Sequence, residues 1–286
     1  MRNFKEVWRL LPPWLQARVT AEELTRWDEL RLRVGRAPSL AKQNVEWPLP
    51  ARSVTAEELT ELLQAASRYS SFSVQEQLRE GFLALPGGHR MGICGTAVLQ
   101  NGRVQTLREI SSVCIRFARE VPLRIEPLAP ALRRSCLILG APGWGKTTLL
   151  RACIRFLSGH GARVCVVDER REIAGTAFAQ AQFDLGPCTD VLSGCPKSTG
   201  VWMLLRGMGP DWIALDEITA PEDLEAIREA GGCGVRLLAT AHAAGTAELQ
   251  KRALYRRLLE LEVFENAIVL DAHRNYSWEG LRECSN

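Results

Sequence analysis

Eight consecutive residues near the middle of the chain have the types and spacing of a phosphate-binding loop. Residues 140–147 read GAPGWGKT and fit the pattern G-x-x-x-x-G-K-[ST]. Gly140, Gly143 and Gly145 permit the backbone to turn sharply and to approach a polyphosphate closely. We expect the ammonium of Lys146 to reach the β- and γ-phosphates and the hydroxyl of Thr147 to bind Mg²⁺. The pattern therefore predicts that the chain binds ATP together with Mg²⁺.

The segments on either side of this loop are those that a phosphate site needs. Residues 135–139 form an apolar run that predicts a buried strand, and residues 147–157 have the spacing of a helix. The N–H groups at the start of such a helix, with the positive end of its dipole, favour an anion. We expect Trp144 at the surface, where it packs on the loop or contacts a ligand or partner. The predicted nucleotide-binding residues are Gly140, Ala141, Pro142, Gly143, Trp144, Gly145, Lys146, Thr147 and Thr148.

Two groups of carboxylates follow other apolar runs. Residues 212–217 read WIALDE, in which Asp216 is expected to hold Mg²⁺ through water and Glu217 to orient the attacking water. Residues 166–172 read VVDERRE, and Glu169 could share the task of Glu217. The structural alternatives are a strand end exposed to solvent for the first group and a salt-bridged loop for the second.

A histidine follows a third apolar run. His242 lies in the tract TAHA, residues 240–243, and could hydrogen-bond to the γ-phosphate or to a carboxylate of residues 216–217. A purely structural histidine is the competing interpretation. His89, His160 and His273 have no partners at metal-ligand spacing, so we assign them no metal.

Strands that alternate with helices must position these residues. From residue 135 onward, strands are predicted at residues 135–139, 163–168, 212–216, 235–240 and 267–270. This alternation predicts an α/β domain with a mainly parallel sheet covered on both faces. In such sheets ligands bind beyond the carboxyl ends of the strands, so residues 168–169, 216–217 and 240–242 are expected to converge.

The first part of the chain predicts a smaller α+β domain. Residues 30–34 alternate apolar and basic side chains, and Asn101-Gly102 predicts a β-hairpin between residues 96–99 and 104–107. Helix starts are predicted by capping boxes at Thr20/Glu23, Thr55/Glu58 and Ser73/Glu76. Prolines 122, 127 and 130 predict a linker, which gives an N-terminal domain at residues 1–127 and an ATPase domain at residues 128–286.

Composition excludes several other classes of protein. Of the 286 residues, 46% are hydrophobic and 24% are charged, which argues against disorder. No apolar stretch approaches the ~18 residues of a membrane span. Nine cysteines without a C-x-x-C pair predict reduced, buried thiols in the cytosol. The net charge of +3 does not by itself predict nucleic-acid binding, and a local basic cluster is interpreted as a solvated helix face or a docking patch: Lys251, Arg252, Arg256 and Arg257.

Four tracts, in their order and spacing, resemble a known class of motor proteins. GAPGWGKT, VVDERREIA, WIALDEI and LLATAHA are similar to the secretion-type hexameric ATPases of type II and type IV secretion and of pilus motors. Residues 116–120, 189–197 and 203–211 narrow the resemblance to the stage III sporulation protein AA family of endospore-forming bacteria. It covers most of the chain and is strongest over residues 83–243.

The resemblance implies a RecA-like ATPase domain behind the smaller domain. It also implies a ring homo-oligomer, expected to be a hexamer, and partnership with membrane proteins of the channel between mother cell and forespore. The expected location is the cytoplasm, with membrane attachment only through protein partners, and no nucleic-acid partner is expected.

The resemblance also implies roles for arginines. In similar ring ATPases, arginines from the N-terminal domain neutralise the γ-phosphate, and the matching residues here are Arg116 and Arg119. Behind them stand Arg31, Arg33 and Arg108, and a structural arginine is the alternative in each case. The chain departs from the family where residues 219–221 read TAP instead of beginning with Gly-Arg, and where Gly209 replaces a usual serine.

Three functions follow as hypotheses. The first is a ring ATPase that drives or assembles a membrane secretion or channel apparatus. The second is an assembly scaffold that binds nucleotide with negligible hydrolysis. The third is a RecA-like nucleic-acid motor, which the basic cluster motivates.

Overall fold

The computed structural model describes residues 2–67, 78–79, 81–119, 121–176 and 181–281. The chain divides into two compact units, one of Met1–Arg119 with Gly175–Gln182 and one of Glu120–Ala174 with Phe183–Asn286. The division falls before the boundary expected at residue 128, because Ile125 and Leu128 are buried in the hydrophobic core of the second unit.

The first unit is an antiparallel sheet with helices. Its six strands have the spatial order β3-β2-β1-β6-β5-β4 and are β1 Glu29–Arg33, β2 Ser39–Lys42, β3 Val45–Pro48, β4 Phe82–Ala84, β5 Arg90–Gln100 and β6 Arg103–Arg116. The helices described in this unit are Arg2–Leu10, Pro13–Gln16, Ala21–Leu24 and Ala56–Ser67. This α+β architecture agrees with the sequence prediction.

The hairpin turn and two of the three helix caps that the sequence predicts in this unit are present in the structure. Asn101 and Gly102 have φ of 52° and 74° between β5 and β6, as a two-residue hairpin turn requires. At the start of Ala21–Leu24, the Thr20 hydroxyl accepts from the Glu23 amide at 3.1 Å and the Glu23 carboxylate accepts from the Thr20 amide at 2.7 Å. The box at residues 55 and 58 forms in the same way, and the predicted box at residues 73 and 76 lies outside the described residues.

The second unit contains a seven-stranded sheet that is parallel except at one edge. Its order is β13-β12-β7-β11-β10-β8-β9, and only the β12–β13 pair is antiparallel among the described pairings. The strands are β7 Cys136–Leu139, β8 Val164–Asp168, β9 Thr189–Ser193, β10 Trp212–Leu215, β11 Arg236–Ala241, β12 Asn266–Leu270 and β13 Tyr276–Gly280. The helices are Lys146–Gly159, Lys197–Gly207, Pro221–Gly232, Thr246–Leu249 and Ala253–Glu260.

Both faces of this sheet are buried, which explains the continuous apolar runs of its strands. Consecutive residues of one strand, such as Leu137 and Ile138 of β7, belong to two different hydrophobic cores. Helix Lys146–Gly159 contributes to one core, and helices Lys197–Gly207, Pro221–Gly232 and Ala253–Glu260 contribute to the other. A parallel sheet covered on both faces therefore presents only its strand ends to solvent and ligands.

The sequence did not predict the two edge strands of this sheet. β9 and β13 are half exposed and have the polar sequences TDVLS and YSWEG, so neither has the apolar run that marked the inner strands. β9 nevertheless pairs with β8 along its whole length, from Val164↔Thr189 to Asp168↔Ser193.

The cysteines of the described segments are unpaired, and three of them are deeply buried. Cys136, Cys153 and Cys165 lie in the cores of the second unit, and Cys284 lies outside the described residues. Burial raises the pKa of the Cys136 thiol to about 12 and that of Cys165 to about 11. In these same segments, no helix has both the length and the apolar character that crossing a bilayer demands.

Helix Lys197–Gly207 approaches β8 closely at one glycine, and this contact is testable. A Cβ on Gly200 would lie 2.6 Å from Cγ1 of buried Val167, so Gly200→Ala is expected to lower the free energy of unfolding by about 1–2 kcal/mol. Overpacking costs ~1–3 kcal/mol, and the better helix propensity of alanine offsets up to ~1 kcal/mol.

Gly207→Ala in the same helix is the matched control for a urea titration. No heavy atom lies within 4 Å of a Cβ built there, so its stability should stay equal or rise by less than about 1 kcal/mol. Equal unfolding midpoints for the two variants would show that the contact between Gly200 and β8 is not tight.

Candidate functional site

The phosphate loop, residues 140–147, has an open inner surface. Gly143 and Gly145 have φ of 80° and 104°, a region that side chains disfavour, and a Cβ at either position would meet nothing within 4 Å. Helix Lys146–Gly159 begins directly after Gly145, so its first N–H groups lie at the loop. This arrangement of backbone dipoles suits a phosphate group.

The side chain of Lys146 is held inside this loop. Its ammonium donates to the carbonyls of Gly140 at 2.8 Å and Ala141 at 3.2 Å, and the residue is only 7% exposed. Burial lowers the pKa of Lys146, while the nearby carboxylates of Glu217 and Asp216 oppose that shift. The lysine therefore places a positive charge in the concave side of the loop.

A cleft of about 280 Å³ opens beside the loop. Glycines, threonines and the lysine of the loop line one part of it, and acids, a threonine and a histidine from strand ends and a following loop line the rest: Gly143, Gly145, Lys146, Thr147, Thr148, Glu172, Asp216, Glu217, Thr240 and His242. Four predicted nucleotide-binding residues are not in this lining, namely Gly140, Ala141, Pro142 and Trp144. Trp144 is half-buried, whereas the sequence predicted a surface position.

The buried acid of the cleft is Asp216. It directly follows β10, is buried, and accepts a hydrogen bond from the Thr240 hydroxyl at 3.3 Å. Thr240 is itself fully buried at the end of β11. Thr240 stands two residues before His242 in the tract TAHA, where its sequence position alone does not indicate this contact.

Glu217 and His242 form a direct pair. The Nδ1 atom of His242 lies 2.8 Å from Oε1 of Glu217, and the guanidinium of Arg170 lies 3.9 Å from the other carboxylate oxygen. Burial and the positive charge of Lys146 lower the pKa of His242, although Glu217 opposes this shift. In the neutral form of His242, the Nδ1 atom that faces the carboxylate carries the proton.

The acid loop, residues 169–174, is fixed by Asp168 and Arg151. The Asp168 carboxylate accepts from the amides of Glu172, Ile173 and Ala174 at 2.8–2.9 Å. Burial raises the pKa of Asp168, with the charge of Asp216 in the same direction, while these three amides oppose the shift. Arg151 donates to the carbonyls of Ile173 and Glu172 at 2.8 and 2.6 Å.

This loop brings Glu172 to the cleft, whereas the sequence expectation named Asp168 and Glu169. The Asp168 carboxylate is occupied by hydrogen bonds from the loop backbone, and Glu169 is not among the residues that line the cleft. Instead, the Glu169 carboxylate accepts from Lys197 at 2.6 Å. A catalytic contribution of Glu169 stays a prediction.

Lys197 connects two loops of the site, and sequence reasoning missed its role. The residue begins helix Lys197–Gly207, is 6% exposed, and lies 3.6 Å from the Asp223 carboxylate in addition to its bond with Glu169. Asp223 in turn accepts from the amides of Thr219 and Ala220, which are separated from the acids at 216–217 by one residue. One buried ammonium thus ties the acid loop to the turn that follows β10.

The predicted arginines lie in the first unit, and four of the five have ion-pair partners there. Arg116 pairs with Glu29 at 3.0 Å and its side chain is 67% exposed. Arg119 pairs with Asp28 at 2.7 Å and also donates to the carbonyls of Thr25 and Trp27. Arg31 and Arg33 pair with the glutamates at positions 29 and 46, and Arg108 is exposed.

The basic cluster is exposed and partly neutralised. Arg252 pairs with Glu248 at 3.2 Å, and Arg256 donates to the carbonyl of Gln250 at 2.9 Å.

Within the described segments, no group of three or more His, Cys, Asp or Glu side chains could by itself hold a metal ion. A metal at the cleft would need oxygen ligands from a nucleotide and water as well.

The chain is similar to one protein family over most of its length. Residues 4–278 match the family described as "Sporulation stage III, protein AA". The stage III sporulation protein AA of Bacillus subtilis (strain 168) is 35% identical over 278 residues, which cover 93% of this chain and 90% of that protein.

Two solved structures show the fold. The ATPase DotB of Legionella pneumophila has a TM-score of 0.60 at 16% identity, covering 95% of this chain and 81% of that chain. The pilus retraction motor PilT, crystallised with bound ADP, has a TM-score of 0.61 at 14% identity, covering 88% and 78%. The predicted fold class, a RecA-like P-loop NTPase domain preceded by a smaller α+β domain, is confirmed.

The contacts of Lys197 predict a large loss of stability in Lys197→Met. We expect the free energy of unfolding to fall by about 3 kcal/mol, because removing one partner leaves the buried carboxylate of Asp223 without its counter-charge. The measurement is urea unfolding at neutral pH.

Arg163→Met provides the matched control, since Arg163 pairs with Asp211 at 2.8 Å in solvent. This exposed pair should contribute less than about 1 kcal/mol. If the two variants lose the same stability, Lys197 is not the buried link that its contacts indicate.

Proposed function

The chain belongs to the family "Sporulation stage III, protein AA", as the sequence resemblance indicated, and we propose that it is a Mg²⁺-dependent ATPase that works as a ring. The observation that carries this proposal is the cleft itself. It places Lys146 and Thr147 of the phosphate loop opposite Asp216, Glu217 and His242, which come from two other strand ends.

The loop and the buried acid fit a nucleotide and its metal. The open inner surface at Gly143 and Gly145 accommodates phosphate oxygens, and the first amides of helix Lys146–Gly159 donate to them. The Thr147 hydroxyl and the Asp216 carboxylate are hard oxygen donors of the kind that Mg²⁺ prefers. The metal, when bound, neutralises negative charge on the phosphates.

The remaining polar groups have distinct tasks in the proposed hydrolysis. Glu217 orients the attacking water and accepts its proton, while His242 holds the Glu217 carboxylate through Nδ1. Lys146 stabilises the charge that develops on the transferred phosphoryl group. Thr240 holds the Asp216 carboxylate in place for the metal.

The cellular role follows from the family rather than from the cleft. We propose that the protein forms a hexameric ring in the cytoplasm and drives or assembles a secretion or channel apparatus between mother cell and forespore. Its membrane attachment would be through protein partners of that apparatus. The name of the Bacillus subtilis relative supports the sporulation role, and the fold of DotB and PilT supports the motor class.

Two arginines of the first unit are candidates for neutralising the γ-phosphate, and their environments favour Arg116. Its guanidinium is mostly exposed and pairs with the carboxylate of Glu29. Arg119 is fixed by one carboxylate and two backbone carbonyls. We therefore propose Arg116 as the arginine that acts on nucleotide and Arg119 as a structural residue.

Glu217→Gln tests the hydrolytic role. We expect phosphate release at saturating Mg²⁺-ATP to fall at least about 100-fold, since a positioned base contributes ~10²–10⁴-fold. The dissociation constant for Mg²⁺ with a non-hydrolysable ATP analogue, measured by calorimetry, should change less than about threefold because the phosphate loop is intact.

Glu265→Gln is the matched control, because Glu265 pairs with Arg134 outside the cleft and its loss should leave both quantities unchanged. Unchanged turnover in Glu217→Gln would remove Glu217 from this role. A wild-type ring that binds nucleotide without measurable turnover would instead favour the scaffold function.

The two arginines give a second test. Arg116→Ala should lower turnover about 100-fold or more, as expected for a charge-neutralising arginine, with little change in the urea midpoint. Arg119→Ala should lower the free energy of unfolding by about 1–2 kcal/mol, since it removes a partly exposed ion pair and two charged hydrogen bonds. The reverse pattern would assign the nucleotide role to Arg119.

A further inference from the structure

One buried hydroxyl joins the two strand ends that carry Glu217 and His242. Tyr255 lies on helix Ala253–Glu260 and is 3% exposed. Its hydroxyl accepts from the backbone amide of His242 at 3.0 Å and donates to the backbone carbonyl of Ile218 at 3.4 Å. Each of these backbone groups belongs to, or directly follows, a member of the Glu217–His242 pair.

The strand ladder does not extend to this pair. The last paired residues of β10 and β11 are Leu215 and Ala239, so Glu217 and His242 lie past the end of the parallel pairing. One further hydrogen bond, from the Ile218 amide to the Thr240 carbonyl at 3.0 Å, holds the segment that follows β10 to the end of β11. The His242 amide is held by the Tyr255 hydroxyl instead.

We propose that Tyr255 is a positioning residue, whose hydroxyl fixes the backbones of Ile218 and His242 so that Nδ1 of His242 meets the carboxylate of Glu217. The expected effect on catalysis rests on the proposed ATPase function. The expected effect on the tautomer of His242 does not depend on that function, because it concerns only the contact between Glu217 and His242.

The chemistry of the tyrosine suits this task. A hydroxyl accepts one hydrogen bond and donates another, which matches an amide on one side and a carbonyl on the other. Burial raises the pKa of Tyr255, so the hydroxyl keeps the proton that it donates to Ile218. A phenylalanine would fill the same space and leave both backbone groups without this partner.

The state of His242 is the direct readout of this role. In the structure Nδ1 faces a carboxylate, so the neutral imidazole carries its proton on Nδ1. If the Tyr255 hydroxyl is removed, the two strand ends can shift and the pairing that selects this tautomer is weakened. A residue that served only packing would not change the tautomer, because phenylalanine packs equally well.

The experiment compares Tyr255→Phe with Tyr276→Phe in the full-length protein. Tyr276 is the matched control, since its hydroxyl also donates to a backbone carbonyl, that of Arg124, and the residue does not line the cleft. The first measurement is ¹⁵N NMR of His242 in the nucleotide-free protein at neutral pH. We expect Tyr255→Phe to lower the share of the Nδ1-protonated form at least twofold and Tyr276→Phe to leave it unchanged.

The second measurement separates turnover from binding. Tyr255→Phe should lower the turnover of Mg²⁺-ATP about 10-fold, since a displacement of ~1 Å costs up to ~10²-fold, and should change the dissociation constant of a non-hydrolysable analogue less than about threefold. Tyr276→Phe should change neither quantity.

An unchanged tautomer in Tyr255→Phe overturns the inference, whatever the turnover. If the wild-type protein binds no Mg²⁺-nucleotide, the proposed function fails, and the NMR comparison still decides the role of Tyr255. A changed tautomer with turnover equal to wild type would overturn the catalytic consequence.

Discussion

The parallel pairing of three buried strands determines where the polar groups of the cleft can lie. β11 pairs with β7 as far as Ala241↔Leu139, and β10 pairs with β11 as far as Leu215↔Ala239. The residues that follow these three strands are therefore Gly140, Asp216 and His242, all at the carboxyl ends of the strands, on one side of the sheet. Both faces of these strands are covered by helices, so this edge is where the chain can expose charge without disrupting a core.

Bringing several charges to one edge has an electrostatic cost, and the structure offsets it by pairing the acids unequally. Glu169 and Asp223 share the ammonium of Lys197, and Asp168 is satisfied by three backbone amides. Through these pairings the three acids hold the loops beside the cleft in place. Asp216 and Glu217 instead face the cleft that contains Lys146, whose ammonium is close enough to interact with both carboxylates.

Sequence alone predicted the parts of the site that depend on local constraints. Backbone geometry restricts the residue types of the phosphate loop to glycine at its sharp turns, and burial on both sheet faces restricts the strands before Asp216 and His242 to apolar residues. Both restrictions can be recognised in the sequence. Contacts that depend on tertiary placement were not predictable in this way. Lys197 and Tyr255 begin or lie in ordinary helices, and nothing in their spacing shows which loops they meet. The edge strands β9 and β13 escaped detection because half-exposed strands lack an apolar run.

The choice between Glu169 and Glu172 shows why the remaining detail needs a structure. Both acids follow β8 within four residues, and composition does not distinguish them. The turn after β8 makes the difference. Arg171 has a φ of 56°, and the Asp168 carboxylate accepts hydrogen bonds from the amides of residues 172–174. The turn directs the chain so that Glu172 lines the cleft while Glu169 meets Lys197. A single left-handed residue and one buried carboxylate, and not the acidity of the tract, therefore decide which glutamate lines the cleft.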